Sequence, residues 1–133
     1  MRGGADIVAR YNVINLGSLE FRSCIGCEAS ENKLQGLSLD LNSSGNLIRD
    51  NVVSSAAGVG IDVLGDENHI EGNLIRGSAG FGLQLGGNGN VYRRNTARGN
   101  AGAGCTNPPG NVNFCDNGAG NTSHGDNYMP GQM

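Results

Sequence analysis

Residues 46–67 read NLIRDNVVSSAAGVGIDVLGDE, residues 68–89 read NHIEGNLIRGSAGFGLQLGGNG, and residues 90–105 read NVYRRNTARGNAGAGC. The three stretches share one pattern: Asn, four residues, Asn, six residues, Gly, any residue, Gly, and a residue of apolar character. A fixed period of 22 residues is typical of a solenoid, in which each repeat stacks on the repeat before it. We therefore expect equivalent residues of successive repeats to lie one above the other.

Apolar residues alternate with small or polar residues in the second half of each repeat. Residues 58–64 and 80–85 keep this alternation, which predicts a strand with one buried face. Residues 36–41 lie one period earlier in the same register and predict a fourth coil, and residues 102–107 keep the frame one period later. The side chains predicted to form inward-facing files are Leu37/Val59/Phe81/Ala103, Leu39/Ile61/Leu83/Cys105 and Leu41/Val63/Leu85/Asn107.

A shorter apolar segment occupies the first half of each repeat, on both sides of its second Asn. Asn51, Asn73 and Asn95 therefore fall at predicted bends, where Asn is favoured because it bonds nearby backbone and tolerates left-handed geometry. Stacked Asn side chains also share amide hydrogen bonds between coils. A repeat this short has no room for a helix with its loops. We predict an all-β fold, a single-stranded parallel β-helix of about five or six coils.

The chain is predicted to be one domain with three parts. Residues 32–107 form the regular coils. Residues 1–31 are less regular, because the segment that starts at Val8 resembles the one that starts at Leu47 at an offset of 39 residues rather than 44. One early coil is therefore shorter or carries a different corner. Residues 108–133 begin with the sequence PPG, which ends the repeat, and form a C-terminal cover or tail.

Composition narrows the classes of partner. The chain of 133 residues carries a net charge of −3, so we expect no binding to nucleic acid or to a membrane surface. No apolar run is long enough to span a membrane, and the first residues do not read as a secretion signal. The sequence thus leaves the compartment open. Eight of the nine basic residues are Arg, which suits carboxylate ligands or reflects a GC-rich genome.

The repeat resembles the right-handed parallel β-helix proteins of the pectin-lyase-like superfamily, above all the Asn-rich repeats of its NosD-like and sugar-hydrolase-type members. The resemblance covers about residues 32–107, with a weaker echo near Asn12. It implies right-handed coils, a carbohydrate ligand, and an exported or cell-surface location. Members include polysaccharide lyases, hydrolases, epimerases and non-catalytic surface or phage proteins, so the resemblance leaves the activity open.

An outward-facing file of polar residues is predicted beside the glycines: Asp40, Asp62, Gln84 and Thr106. Two carboxylates stacked about 4.8 Å apart repel each other, which raises one pKa. This spacing is near the roughly 5 Å between the two acids of retaining glycosidases. Asp40 and Asp62 are therefore candidate catalytic residues, and Gln84 is a candidate ligand-binding residue. The alternative is that both acids are solvated surface residues.

Oxygen ligands at Asp40 and Asp62 would also suit Ca²⁺, and no other metal or cofactor is predicted. The resemblance implies Asp-rich Ca²⁺ sites with an Arg base in pectate lyases. In galacturonases it implies an Asp cluster with a His-Gly pair and a distal Arg-Ile-Lys. None of these full motifs occurs in this chain.

Charged residues form two further outward files. Arg49, Glu71 and Arg93 alternate in sign, which is typical of a structural charge ladder. Arg76 and Arg98 stack as like charges, and we consider them candidate ligand-binding residues for an acidic sugar. The alternative is that the two side chains simply splay into water.

The four cysteines allow two short-range pairs. A disulfide between Cys105 and Cys115 would pin the tail over the last regular coil if the protein is exported. A bond between Cys24 and Cys27 would close a tight loop, so we favour it less.

Three functions remain open. The favoured one is a non-catalytic module that binds extended polysaccharide, or a protein partner, on a stacked polar face. The alternatives are a small or truncated carbohydrate-active enzyme that uses Asp40 and Asp62, and a purely structural assembly unit. An open β-helix end exposes unpaired strand, so we also expect a homo-oligomer or larger assembly formed through the N-terminal end.

Overall fold

The computed structural model describes residues 2–5, 7–14, 19–35, 39–42 and 44–131. Every regular element in this part of the chain is a β-strand, and we number the strands in chain order. The chain visits three sheets in turn, and all strand pairs within these sheets are parallel. No helix in the same residues is long and apolar enough to cross a membrane.

Each sheet is built from one strand per coil. The first sheet contains β1 (Arg2–Ala5), β4 (Leu19–Ile25), β7 (Leu39–Asn42), β10 (Ile61–Val63), β13 (Leu83–Leu85) and β16 (Phe114–Asp116). The second contains β2 (Val8–Arg10), β5 (Glu28–Ser30), β8 (Leu47–Arg49), β11 (His69–Glu71), β14 (Val91–Arg93) and β17 (Thr122–Ser123). The third contains β3 (Val13–Ile14), β6 (Lys33–Gln35), β9 (Val52–Ser54), β12 (Leu74–Arg76) and β15 (Thr96–Arg98).

The register of these sheets confirms the predicted all-β parallel solenoid. Ile61 pairs with Leu39 on one side and with Leu83 on the other, at the predicted period. The early coils are shorter: Val8 pairs with Glu28 and Glu28 with Leu47, so two coils share the deficit that we assigned to one. The domain boundaries and the contact of the N-terminal end with another subunit stay predictions.

Aliphatic side chains fill the narrow interior between the three sheets. Ile48 and Ile70 come from the second sheet, Val53 and Ile75 from the third, and Leu83 from the first, and all five are fully buried. Burying each such side chain contributes roughly 1.5–3 kcal/mol. Alternate positions on each strand face outward, so the same register that aligns the core also aligns files of polar side chains on the surface.

Asn side chains stack at the corners of the coil. The longest ladder lies between the second and third sheets and runs through Asn12, Asn32, Asn51, Asn73, Asn95 and Asn127. The residue before a ladder position takes the left-handed conformation, with φ of 54° at Asp50, 66° at Gly72 and 51° at Arg94. The predicted Asn ladder is therefore confirmed, but the left-handed geometry belongs to the preceding residue and not to Asn.

The last coil departs from the predicted register. Leu83 pairs with Phe114, Gln84 with Cys115 and Leu85 with Asp116. The predicted partners were Cys105, Thr106 and Asn107, and this prediction was wrong. The chain leaves the stack after Asn100 and returns at Asn113, whose carbonyl accepts hydrogen bonds from the backbone of Gly82 and Leu83. We call residues 101–112 the excursion.

The file predicted at Leu37, Val59, Phe81 and Ala103 also differs. Leu37 lies outside the described residues, and Ala103 belongs to the excursion. Val59 and Phe81 pack with Cys105 and Cys115 in a cluster separate from the main core. The reason is the corner beside them: Gly82 faces inward, where a Cβ atom would come within 2.8 Å of Ala97.

The C-terminal segment covers the end of the stack. Tyr128 bridges to Thr96 and extends the third sheet by one position. Asn111 Nδ2 donates to the carbonyl of Met129, which packs on the main core, and Asn113 Nδ2 donates to the carbonyl of Pro130. Residues 114–131 therefore form a last coil together with a cover.

Candidate functional site

The outer face of the third sheet carries a file of polar and basic side chains. Gln35 pairs with Ser54, Ser54 with Arg76, and Arg76 with Arg98, so the four residues stack in register across successive coils. Lys33 lies on the same face, two positions before Gln35 on strand β6. We call the surface lined by Lys33, Gln35, Ser54, Arg76 and Arg98 the basic groove.

The basic groove is a shallow depression of about 580 Å³. Its remaining lining comes from the adjacent corner, where Ser55, Gly77 and Gly99 succeed one another in left-handed geometry. The two glycines leave that edge of the groove free of side chains. Arg76 Nε donates to Ser54 Oγ at 3.3 Å, which directs its guanidinium along the file.

The cations of the groove have no acidic partner among the described residues. No Asp or Glu lines the groove, and Lys33, Arg76 and Arg98 make no ion pair with any residue that the structure describes. Three uncompensated positive charges thus lie close together on a chain whose net charge is −3. Such a concentration of one sign attracts anionic ligands.

The second sheet shows the opposite arrangement. Arg10 Nη2 lies 2.9 Å from Glu28 Oε2, and Arg49 Nε lies 3.1 Å from Glu28 Oε1. A hydrogen bond from Ser30, aided by Arg10 and Arg49, lowers the pKa of Glu28 against the opposing effect of burial. Arginine on this face is therefore consumed by structural pairing.

The predicted charge ladder is present one coil further along this face. Glu71 pairs in register with both Arg49 and Arg93, and its carboxylate also contacts Arg94. Arg93 reaches Asp126 of the C-terminal segment at 3.7 Å. The second sheet thus leaves few charges available to a ligand, in contrast to the basic groove.

The candidate acids lie on the first sheet. Asp62 pairs in backbone register with Asp40 on one side and with Gln84 on the other, as predicted. The structure describes only the backbone of residue 40, so the separation of the two carboxyl groups stays a prediction. Glu20 pairs with Asp40 and adds a third acidic residue to the file. Sequence reasoning missed it because the offset there is 20 residues and not 22.

The three candidate ligand-binding residues do not come together. Arg76 and Arg98 share the basic groove, whereas Gln84 belongs to the first sheet and faces a different side of the coil. Sequence reasoning also missed Lys33 and the exposed Tyr128 near the end of the groove. Lys33 occupies the first position of its strand, two residues from the Arg file, and its alternation with Leu34 was a usable signal.

Two disulfides are present. Cys105 is bonded to Cys115, which ties the excursion to strand β16. Cys24 is bonded to Cys27, the pair that we favoured less because of its tight loop. That loop is accommodated at a corner, where Gly26 adopts a φ of 69° and both cysteines are buried in the core.

The described residues contain no group of three or more His, Cys, Asp or Glu side chains that could hold a metal ion. The Ca²⁺ site at Asp40 and Asp62 remains a prediction, because the side chain of residue 40 is not described.

Comparison with protein families gives one match. The model of the family described as "Right handed beta helix region" matches residues 16–127, which is most of the chain. This match agrees with the parallel stack of sheets and confirms the predicted right-handed parallel β-helix. Neither the search of curated proteins nor the search of solved structures gives a match for this chain.

Proposed function

Since the chain belongs to the right-handed β-helix family, we propose that it is a non-catalytic module that binds an extended acidic polysaccharide along the basic groove. The observation that carries this proposal is the set of three cations in the groove, Lys33, Arg76 and Arg98, without an acidic partner among the described residues. The wider resemblance to β-helix proteins that act on carbohydrate supports the ligand class by analogy only.

The spacing of the two arginines suits a linear polyanion. Arg76 and Arg98 are neighbours in register, so their backbones lie about 4.8 Å apart along the stack. A guanidinium binds a carboxylate through two parallel hydrogen bonds, which fixes the orientation of the ligand as well as its charge. A uronic acid chain that runs along the stack would present carboxylates to successive coils.

The scaffold around the groove supports binding without rearrangement. Strands β12 and β15 are held by the buried Asn73 and Asn95, which bond each other and the neighbouring coils. The basic side chains therefore project from a rigid surface, and little conformational entropy of the backbone is lost on binding. Nucleic acid is a weaker candidate, because the chain as a whole is acidic.

The proposal is tested by titrating the protein with polymers of uronic acid and with neutral dextran, at two salt concentrations. We expect binding of the uronate polymers alone, weakened by added salt because the interaction is electrostatic. Arg76→Gln and Arg98→Gln should each weaken binding about tenfold or more. Arg10→Gln removes the same charge from the second sheet and should leave affinity nearly unchanged. Equal loss in all three variants would contradict a local site.

A second candidate function is favoured by one observation. Glu20, Asp40 and Asp62 follow one another in register, so acidic residues occupy three successive coils of one file. A carbohydrate-active enzyme that uses Asp40 and Asp62 would lose its activity on Asp62→Asn. Lyase and hydrolase assays on uronate polymers test this, and activity that survives the substitution would eliminate Asp62 as a catalytic residue.

A further inference from the structure

A second cavity continues the basic groove at the C-terminal end of the stack. It has a volume of about 790 Å³ and lies between the excursion and residues 128–131. Arg98 and Gly99 line both the groove and this cavity, so the two depressions share a wall. A ligand that runs along the file from Arg76 to Arg98 therefore meets the cavity next.

The cavity exists because the last repeat is longer than those before it. The inward file that contains Ile61 continues through Leu83 to Phe114. Nine more residues separate Leu83 from Phe114 than separate Ile61 from Leu83, and the chain uses them to leave the stack and return. The added segment forms one wall of the cavity.

Both walls of the cavity are fixed in place. The Cys105–Cys115 disulfide ties the excursion to strand β16. On the other side, Asn111 and Asn113 donate from Nδ2 to the carbonyls of Met129 and Pro130, at 3.1 and 2.6 Å. The cavity is therefore part of the folded structure and does not depend on the chance position of a loose tail.

The lining has the character of a sugar site. Glycine and alanine line much of the cavity, and the positions where Gly99, Gly104 and Gly110 would carry a Cβ atom are open. Tyr128 is 61% exposed and offers an aromatic surface, against which the apolar face of a sugar ring packs well. Arg98 supplies a cation at the shared wall, and no acidic residue lines the cavity. Ligand pockets commonly combine such a carbon-rich lining with a few polar groups.

We propose that this cavity is a subsite for the terminal sugar of an acidic polysaccharide, so that the protein binds chain ends in preference to chain interiors. The inference rests on the proposed function of the basic groove. The file of Arg76 and Arg98 leads to Pro130 if the register of the Thr96–Tyr128 bridge is extended by two residues, and Pro130 lines the cavity. The sugars that follow the terminal one then lie over Arg98 and Arg76.

The first test is the stoichiometry of binding to galacturonate oligomers of defined length, measured by isothermal titration calorimetry. A protein that binds chain ends takes up one chain per molecule, whatever the length of the chain. A protein that binds chain interiors gives a number of bound molecules that grows with chain length. This measurement uses the unaltered protein and so does not depend on the folding of any variant.

The second test fills the cavity. Ala101 is exposed and lines the cavity, and Ala79 is the exposed residue one period earlier, outside both depressions. We expect Ala101→Phe to weaken binding of the oligomers about tenfold or more, and Ala79→Phe to leave it unchanged.

The outcomes separate the two proposals. One protein per chain, together with a loss specific to Ala101→Phe, supports recognition of chain ends. Binding in proportion to chain length, with Ala101→Phe equal to the unaltered protein, overturns the terminal subsite but leaves the groove as a polysaccharide site. Failure of every uronate polymer and oligomer to bind overturns the proposed function, and the terminal subsite with it.

Discussion

Asn51 donates hydrogen bonds from both its backbone N–H and its Nδ2 to Oδ1 of Asn73, each at 3.0 Å. Nδ2 of Asn51 also donates to the carbonyl of Ala29 at 2.9 Å, and Asn73 repeats the arrangement toward Asn95 and Ile48. One amide side chain thus connects three coils at a buried corner. The ladder satisfies polar groups that a narrow interior would otherwise leave without partners.

Asn73→Ala is expected to destabilise the fold strongly. Asn73 is 1% exposed, and its loss leaves the backbone N–H and the Nδ2 of Asn51 without their acceptor. Each buried polar group left unsatisfied costs about 1–3 kcal/mol, so we expect a loss of roughly 2–5 kcal/mol in the free energy of unfolding. Urea unfolding followed by circular dichroism measures this.

The control for this substitution is Asn88→Ala, which removes the same atoms from an exposed position. Its side chain accepts one hydrogen bond, from the backbone of Ala119. We expect a loss below about 1 kcal/mol. Similar losses for the two variants would mean that the ladder contributes no more than surface hydrogen bonds do.

Glu67→Gly and Gly89→Ala should change stability in opposite directions. Both residues precede an Asn of the ladder that contains Asn68 and Asn90, and both are left-handed, with φ of 55° and 64°. A side chain in this conformation costs roughly 1 kcal/mol relative to Gly. We therefore expect Glu67→Gly to raise the thermal midpoint and Gly89→Ala to lower it, as measured by calorimetry. A decrease in both variants would contradict the assigned geometry.

Removal of the Cys105–Cys115 disulfide should affect both stability and binding. The bond closes a loop over a sequence separation of 10 residues, for which chain entropy predicts a stabilisation of roughly 2–3 kcal/mol. The double substitution Cys105→Ser and Cys115→Ser should lower the free energy of unfolding by about that amount. It should also weaken oligosaccharide binding, because the excursion is a wall of the terminal cavity. Unchanged affinity in a folded double variant would show that the bond does not shape the site.

The sequence predicted the regular coils well because their period is simple. Alternation placed Ile61 and Leu83 in one inward file, and the recurring Asn marked the corner ladder. The last coil was mispredicted because residues 102–107 keep the Gly-x-Gly frame while the chain leaves the stack. Local pattern alone does not reveal that Phe114 replaces Cys105, since an insertion leaves the motif before it intact.

The candidate site was only partly predictable. The register of Arg76 and Arg98 followed from the repeat, but the missing counter-charge depends on which residues line the groove in three dimensions. Lys33 and Tyr128 join the site from an irregular early coil and from the C-terminal segment. Neither belongs to the regular repeats that made the rest of the surface readable.

Acidification should destabilise the protein through His69. Burial lowers the pKa of His69, and the nearby Arg93, His124 and Arg94 lower it further. The carboxylate of Glu71, 3.2 Å from Nε2, does not reverse this shift. As the pH falls through the unfolded value near 6.5, the unfolded chain takes up a proton before the folded one does, so the free energy of unfolding decreases.

His69→Val tests this directly, because Val91 and Leu47 occupy the neighbouring positions of the same file. The variant should lose less stability than the unaltered protein between about pH 8 and pH 5, since the group that gains a proton on unfolding is gone. His124→Ala removes an exposed imidazole and serves as the control, which should keep most of the pH dependence. Urea unfolding at several pH values measures the slopes. If His69→Val keeps the full slope, another group is responsible and the assignment to His69 is wrong.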